Sequence, residues 1–222
     1  MIKSFKVRLF PTKKQEQLMW RHIGACRYLW NFMLDFQQEN YKQGNKYLSA
    51  FDMINMLKPM KNDGEHEWLK EVSNTSLKTI CRDLDRAFHG FFKKQSGYPK
   101  FKSRKRSKPA FPIRETVWFT DRVVTIEKVG KVRYKTDFEL PSGRGHKFTN
   151  PRISNVNGKW MLSFGIEFVQ ADRFYPSSKT CSCCGNVKQN LKLSDRVYEC
   201  ESCGLVIDRD YNAAINLSRY AA

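Results

Sequence analysis

Five of the seven cysteines of this 222-residue chain lie beyond residue 180, as Cys181-Ser-Cys183-Cys184-Gly and Cys200-Glu-Ser-Cys203-Gly. The pairs Cys181/Cys184 and Cys200/Cys203 are fifteen residues apart, and a glycine follows each second cysteine. Two short hairpin knuckles with that spacing suit one tetrahedral structural Zn²⁺. Thiolates supply soft ligands, and Gly185 and Gly204 let the backbone fold back behind the metal. Cys183 is left out, because Cys184-Gly185 mirrors Cys203-Gly204 only when 181 and 184 pair. Two disulfides are the alternative use of the same sulfurs, but they need an oxidising compartment. The start, Met1-Ile2-Lys3-Ser4-Phe5-Lys6, has no apolar secretory run, and no stretch approaches a membrane span. The expected setting is reducing: cytoplasmic, prokaryotic and associated with the nucleoid, with no membrane.

A second chemistry is cationic. Lys and Arg number 40 against 22 acids, a formal net charge of +18. Such an excess favours a polyanionic partner through counterion release. It is clustered: Lys93, Lys94, Lys100, Lys102, Arg104, Lys105, Arg106 and Lys108 follow one another with no acid between them. Phe92, Tyr98 and Phe101 are interleaved, where bases could stack. A solvated basic linker is the plainer reading of the same run. The opening Phe5-Lys6-Val7-Arg8-Leu9-Phe10 alternates apolar and basic residues, so Lys6 and Arg8 are expected on the positive face of a half-buried strand.

The elements that position these groups follow from periodicity. Thr12 and Gln15 form a capping-box pattern, and apolar residues recur at helical spacing to about Tyr41. His22 and Cys26 lie four apart on that face and read as core. Gly44-Asn45 breaks the helix. A shorter helix starts at Ser49, with Asp52 as its third residue, and ends before Pro59. A third begins near Ser73 or Asn74, with Leu77, Ile80, Cys81, Leu84, Phe88, Phe91 and Phe92 on its apolar face. Its Asp83, Asp85 and Arg86 are expected to be solvated. Beyond residue 108 the period changes to two, with strands expected at 117–119, 123–126, 131–134, 152–154 and 159–168. Asn157-Gly158 is a hairpin turn. The fold class is α+β: a β-barrel or sandwich from residues 1–10 and 98–170, ending near Val169, a helical bundle at 11–97 inserted in it, and a zinc ribbon with a C-terminal helix at 171–222.

Three segments together resemble one family. Phe10-Pro11-Thr12 through Gln15, with Gly24-Ala25-Cys26-Arg27-Tyr28 and Asn31, is similar to the N-terminus of the TnpB (OrfB) transposon-encoded proteins. Gly97-Tyr98-Pro99-Lys100-Phe101-Lys102-Ser103 resembles their GxPxFKSR segment. Asp172 to Cys181, continuing to Asp208-Arg209-Asp210-Tyr211-Asn212-Ala213-Ala214, resembles their zinc finger and last nuclease motif. The resemblance implies a wedge-like barrel, guide RNA and DNA as partners, transposition as context, and a RuvC-type nuclease using Mg²⁺.

That nuclease gathers carboxylates from three motifs, because two metal ions must bridge the scissile phosphate. Only the last motif has a counterpart here, and by its position the catalytic residue is Asp210. Three residues stand between Phe168 and Asp172, where the family carries its first two nuclease motifs. Gly165-Ile166-Glu167 is not a relic of the first, since it continues the strand from Trp160. Asp208 is expected to cap the terminal helix. The expectation is a binder of guide RNA and DNA with structural zinc and without its own nuclease, Asp210 being orphaned and Mg²⁺ entering only under the nuclease reading. The alternatives are an active endonuclease completed by carboxylates of another chain, and a deletion remnant without activity.

Overall fold

The computed structural model describes residues 2–115, 117–120, 122–138, 140, 148–167, 171–192 and 194–220. They fall into two compact units, Ile2–Glu167 and a C-terminal unit from Phe168 onward. The expected end of the sheet near Val169, and the boundary at 170, lie outside the described residues.

In the first unit, strand β1 (Ile2–Phe10) leads into helix α1 (Lys13–Lys42), then α2 (Ala50–Met60), a 3₁₀ turn at Glu67–Glu71 and α3 (Asn74–Phe92). Six strands follow: β2 (Ala110–Pro112), β3 (Trp118–Thr120), β4 (Val123–Ile126), β5 (Gly130–Lys135), β6 (Thr149–Val156) and β7 (Lys159–Glu167). The helix starts have chemical causes. Thr12 with Gln15 and Ser49 with Asp52 each complete a capping box, and Ser73 accepts from the Ser76 amide. Helix α2 runs through Pro59 to Met60, past the expected stop. Proline in the last turn forfeits one backbone bond where the ladder is already ending.

All strand pairs are antiparallel, in the order β2-β6-β7-β1-β5-β4-β3. The first strand therefore sits at the centre of the sheet. Among the described residues no hydrogen-bonded pair joins β2 to β3. The β6–β7 connection is the expected two-residue turn, with positive φ at both Asn157 (50°) and Gly158 (76°). Val7 and Leu9 point into the core that the sheet shares with Met19, Leu29, Leu77 and Leu84 of the helices. Phe91 and Phe92 remain exposed at the end of α3. Asp83 and Asp85 are not simply solvated: Asp83 pairs with Arg152, and Asp85 accepts from the Tyr47 hydroxyl (2.8 Å).

His22 is fully buried in this core, against the Phe111 ring. Its Nε2 accepts from the Ser73 amide (3.0 Å), so the ring is neutral and Nδ1–H donates to the Leu18 carbonyl (2.8 Å). Burial holds its pKa below the ordinary 6.5, against the raising effect of the Leu18 carbonyl. The folded state thus resists a proton that the unfolded chain takes up near pH 6.5. Stability should fall as the pH is lowered from about 7.5 to 5.5. Urea midpoints across that window test this, and His22→Gln should flatten the slope.

Candidate metal centre and nucleic-acid interface

The C-terminal unit contains strands β8 (Val197–Glu199) and β9 (Val206–Asp208), paired antiparallel, and helix α4 (Arg209–Arg219). Its two cysteine hairpins repeat one backbone pattern. The Cys181 amide donates to the Asn186 carbonyl (2.8 Å) and the Gly185 amide to the Cys181 carbonyl (2.9 Å). Likewise the Cys200 amide donates to Leu205 (2.8 Å) and the Gly204 amide to Cys200 (2.9 Å). Gly185 and Gly204 take φ of +78° and +72°, which a side chain would strain.

The knuckles bring Cys181, Cys184, Cys200 and Cys203 together, all four Sγ atoms within 4.8 Å of one another. Cys181–Cys203 and Cys184–Cys200 are each 3.6 Å apart, and all seven cysteines are free thiols. A Zn–S bond of about 2.3 Å requires tetrahedral sulfur–sulfur edges of about 3.8 Å, so the cradle fits a Zn²⁺. Amide donors from Cys203 and Ser202 lower the pKa of Cys200, which favours the thiolate a metal needs. Cys183 is exposed and stands outside the cluster.

Helix α4 grips the first knuckle through two buried asparagines that the sequence reading did not assign. Asn212 accepts from the Ser182 amide (3.0 Å) and donates to the Thr180 carbonyl (2.7 Å). Asn216 donates to the same carbonyl and to that of Ser177 (2.8 Å). A polar residue twice on the inner face of an otherwise amphipathic helix was the available signal. Asp208 caps this helix, accepting from the Tyr211 amide (2.9 Å). Asp210 lies in its first turn with its side chain 71% exposed, 3.3 Å from Arg209 and 4.0 Å from Arg196. Among the described residues, the cysteine cluster is the one group of three or more His, Cys, Asp or Glu whose ligand atoms converge. Among those same residues, Asp210 belongs to no such group.

The basic run between α3 and β2 is pinned, not loose. Asn31 of α1 donates to the Lys102 carbonyl (2.9 Å) and accepts from the Lys102 amide (2.7 Å). The Trp30 indole N–H donates to the Lys100 carbonyl (3.0 Å). The Lys102 ammonium then sits 3.5 Å over the Trp30 ring. Burial lowers its pKa to about 8, against the raising influence of Asp83. Lys102, Arg104 and Lys108 line one cavity. Lys105 and Arg106 are exposed in the turn between them, and Lys93, Lys94 and Lys100 are exposed nearer α3.

Strand register connects this run to β1. Lys6 opposes Ser163 of β7, which opposes Arg152 of β6, so the three share one face. Arg8 opposes Lys135, and Arg133 opposes Phe10. The Arg8 guanidinium lies 5.5 Å from the Phe10 ring, and its buried Nε has no hydrogen-bond partner among the described residues. Arg27, Arg133, Lys135 and Arg152 were not singled out from sequence, since only the pairing of distant strands and the α1 packing place them beside the others.

Residues 1–46 match the helix-turn-helix domain family of the OrfB/IS605 type, and residues 160–217 match the Cas12f1-like TNB domain family. The chain is 31% identical over 196 residues to a protein of Escherichia coli (strain K12) that carries the name RNA-guided DNA endonuclease InsQ, covering 87% of this chain and 48% of that protein. It is 26% identical over 186 residues to a Streptomyces pristinaespiralis protein also named for RNA-guided DNA endonuclease activity, covering 82% and 45%. The CRISPR-associated endodeoxyribonuclease Cas12f1 of Sulfoacidibacillus thermotolerans is 35% identical over 54 residues, 24% of this chain and 13% of that one. The chain spans about half the length of the first two relatives.

Proposed function

The chain belongs to the TnpB (OrfB) family, and on that premise we propose that it binds guide RNA and DNA, carries a structural Zn²⁺ and does not cleave phosphodiesters itself. The observation that carries the last point is the isolation of Asp210. A two-metal hydrolysis needs several carboxylates within reach of both ions, and one exposed aspartate held between two arginines cannot supply them.

Residues 1–10 and 98–170 are assigned to a wedge-like barrel, 11–97 to the helical bundle inserted in it, and 171–222 to a zinc ribbon with its terminal helix. Cys181, Cys184, Cys200 and Cys203 hold the metal. The ion closes two knuckles whose apolar core is otherwise small, Tyr198 with Leu191, Leu205 and Ile207 around the two buried cysteines. Phosphates meet Lys6, Arg8 and the pinned run Lys100, Lys102, Arg104, Lys105, Arg106 and Lys108, with Lys93 and Lys94 beyond it. The pinning of that run on α1 supports a formed interface, because a solvated linker needs no backbone clamp.

A competing reading keeps the endonuclease and completes Asp210 with carboxylates of another chain; the solvent-facing position of Asp210 is what favours it. RNA that co-purifies with the full chain from its native cells tests the binding proposal. Enrichment of a defined RNA species is expected, and a preparation free of nucleic acid at low salt contradicts it.

A further inference from the structure

The first unit contains a cavity of about 500 Å³ between α1, the pinned basic run and strands β2, β6 and β7. Its cations are Arg27 of α1, Lys102, Arg104 and Lys108 of the run, and Arg152 of β6; no acid lines it. Asp83, which is not part of the lining, pairs with Arg152, and its charge also acts on Lys102. Among the described residues none of Arg27, Lys102, Arg104 and Lys108 has a carboxylate in salt-bridge range. The rest of the wall mixes Ser103, Ser107, Ser154 and Ser163 with an apolar part formed by Trp20, Ile23, Ile80 and Pro109.

Three features indicate an occupant. The volume lies within the range of sites for single small molecules, roughly 300–1,000 Å³, and is too confined for a duplex. Next, Lys102 is held partly desolvated over Trp30 by a clamp on both sides of its own peptide unit. With no carboxylate in salt-bridge range, the Lys102 ammonium is only partly compensated by the more distant Asp83, and an anion entering the cavity would pair with it directly. Finally, four cations without a salt-bridge partner among the described residues exceed what a single diester phosphate can match. A phosphomonoester brings about −1.5 to −2 charges and three strong acceptor oxygens.

We propose that this cavity receives the phosphorylated end of a nucleic-acid strand, the terminal phosphomonoester lying among Arg27, Lys102, Arg104 and Lys108 and the terminal nucleoside against the Trp20–Pro109 wall. The inference rests on the nucleic-acid reading above and adds to it a preference for strand ends. Gly24 offers a way to close the cavity without changing its charge. It lines the cavity from α1, and a Cβ added there meets nothing within 4 Å.

The test is fluorescence anisotropy of the full chain with short single strands of one sequence, RNA and DNA, bearing a 5′-phosphate, a 3′-phosphate or hydroxyl ends. One phosphorylated form should bind about tenfold or more tightly than the hydroxyl form, as charge-assisted hydrogen bonds to an extra dianion require. Which end prevails identifies the strand polarity. AMP should compete for that increment and adenosine should not. Gly24→Phe, verified as folded by thermal melting, should remove the increment and leave hydroxyl-ended strands bound nearly as before, whereas Lys102→Met should remove the increment and also weaken hydroxyl-ended strands, since Lys102 belongs to the phosphate-binding run. Equal affinity of the unmodified protein for all three ends overturns the cavity assignment while leaving the nucleic-acid reading intact. Failure to bind any strand overturns both.

Discussion

Cys181→Ser and Cys203→Ser are expected to abolish zinc binding and unfold the C-terminal unit, whereas Cys183→Ser should keep one ion per chain. The asymmetry follows from geometry, since Cys181 and Cys203 belong to the four-sulfur cradle and Cys183 does not. The size of the effect follows from how little else holds the unit. Its buried cluster consists of Cys181, Tyr198 and Cys200, with three partly buried aliphatic residues around them. The free energy of binding Zn²⁺ to such knuckles, on the order of 10–16 kcal/mol in small zinc peptides at neutral pH, becomes folding free energy. Chelation should therefore act like the substitutions. Elemental analysis of the three variants, with proteolysis of residues 171–220 as a second readout, checks this. Equal zinc in all three would show the ligand assignment to be wrong.

Reversing Arg104, Lys105, Arg106 and Lys108 to glutamate should produce the second large effect. Removing one cation that neutralises a phosphate lowers the slope of log affinity against log salt by about 0.7–0.9, so removing four lowers it by about 3. At about 0.1 M salt the affinity for RNA or DNA should fall by on the order of a hundredfold or more. Lys102 is spared, because its ammonium lies on Trp30 and a glutamate there would stand beside Asp83 in a partly buried site. A variant that binds as the parent does across a salt titration would reduce the run to a solvated segment, whatever its clamp.

How far the residues alone carried the fold differs from element to element, for physical reasons. Helix starts and the Asn157-Gly158 turn were legible because their chemistry is local: Thr12 needs only Gln15, and Ser49 only Asp52. The cysteine knuckles were legible for the same reason, each being a short hydrogen-bonded unit with its own glycine. Interactions set by the meeting of distant segments were not legible. Arg152 joins the basic face only through the pairing of β6 with β7 and of β7 with β1. Asp83 reads as a solvated helix residue until Arg152 reaches it across the fold. The clamp of Asn31 on Lys102 spans 71 residues, and nothing in the spacing of either segment announces it. Asn212 was noticed as part of a motif. Its local task, satisfying the Ser182 amide and the Thr180 carbonyl, required the knuckle to be in place.

The central claim is that this chain binds nucleic acid without cutting it, and one measurement addresses it directly. The purified full chain, with its co-purified RNA retained, is incubated with single- and double-stranded DNA in Mg²⁺ or Mn²⁺ alongside Asp210→Ala. No cleavage is expected from either protein, and the variant should bind and melt almost as the parent does, because the exposed pairs of Asp210 with Arg196 and Arg209 contribute about 0–1 kcal/mol. Metal-dependent cleavage by the parent that disappears in Asp210→Ala would contradict the account and place the missing carboxylates on a second chain.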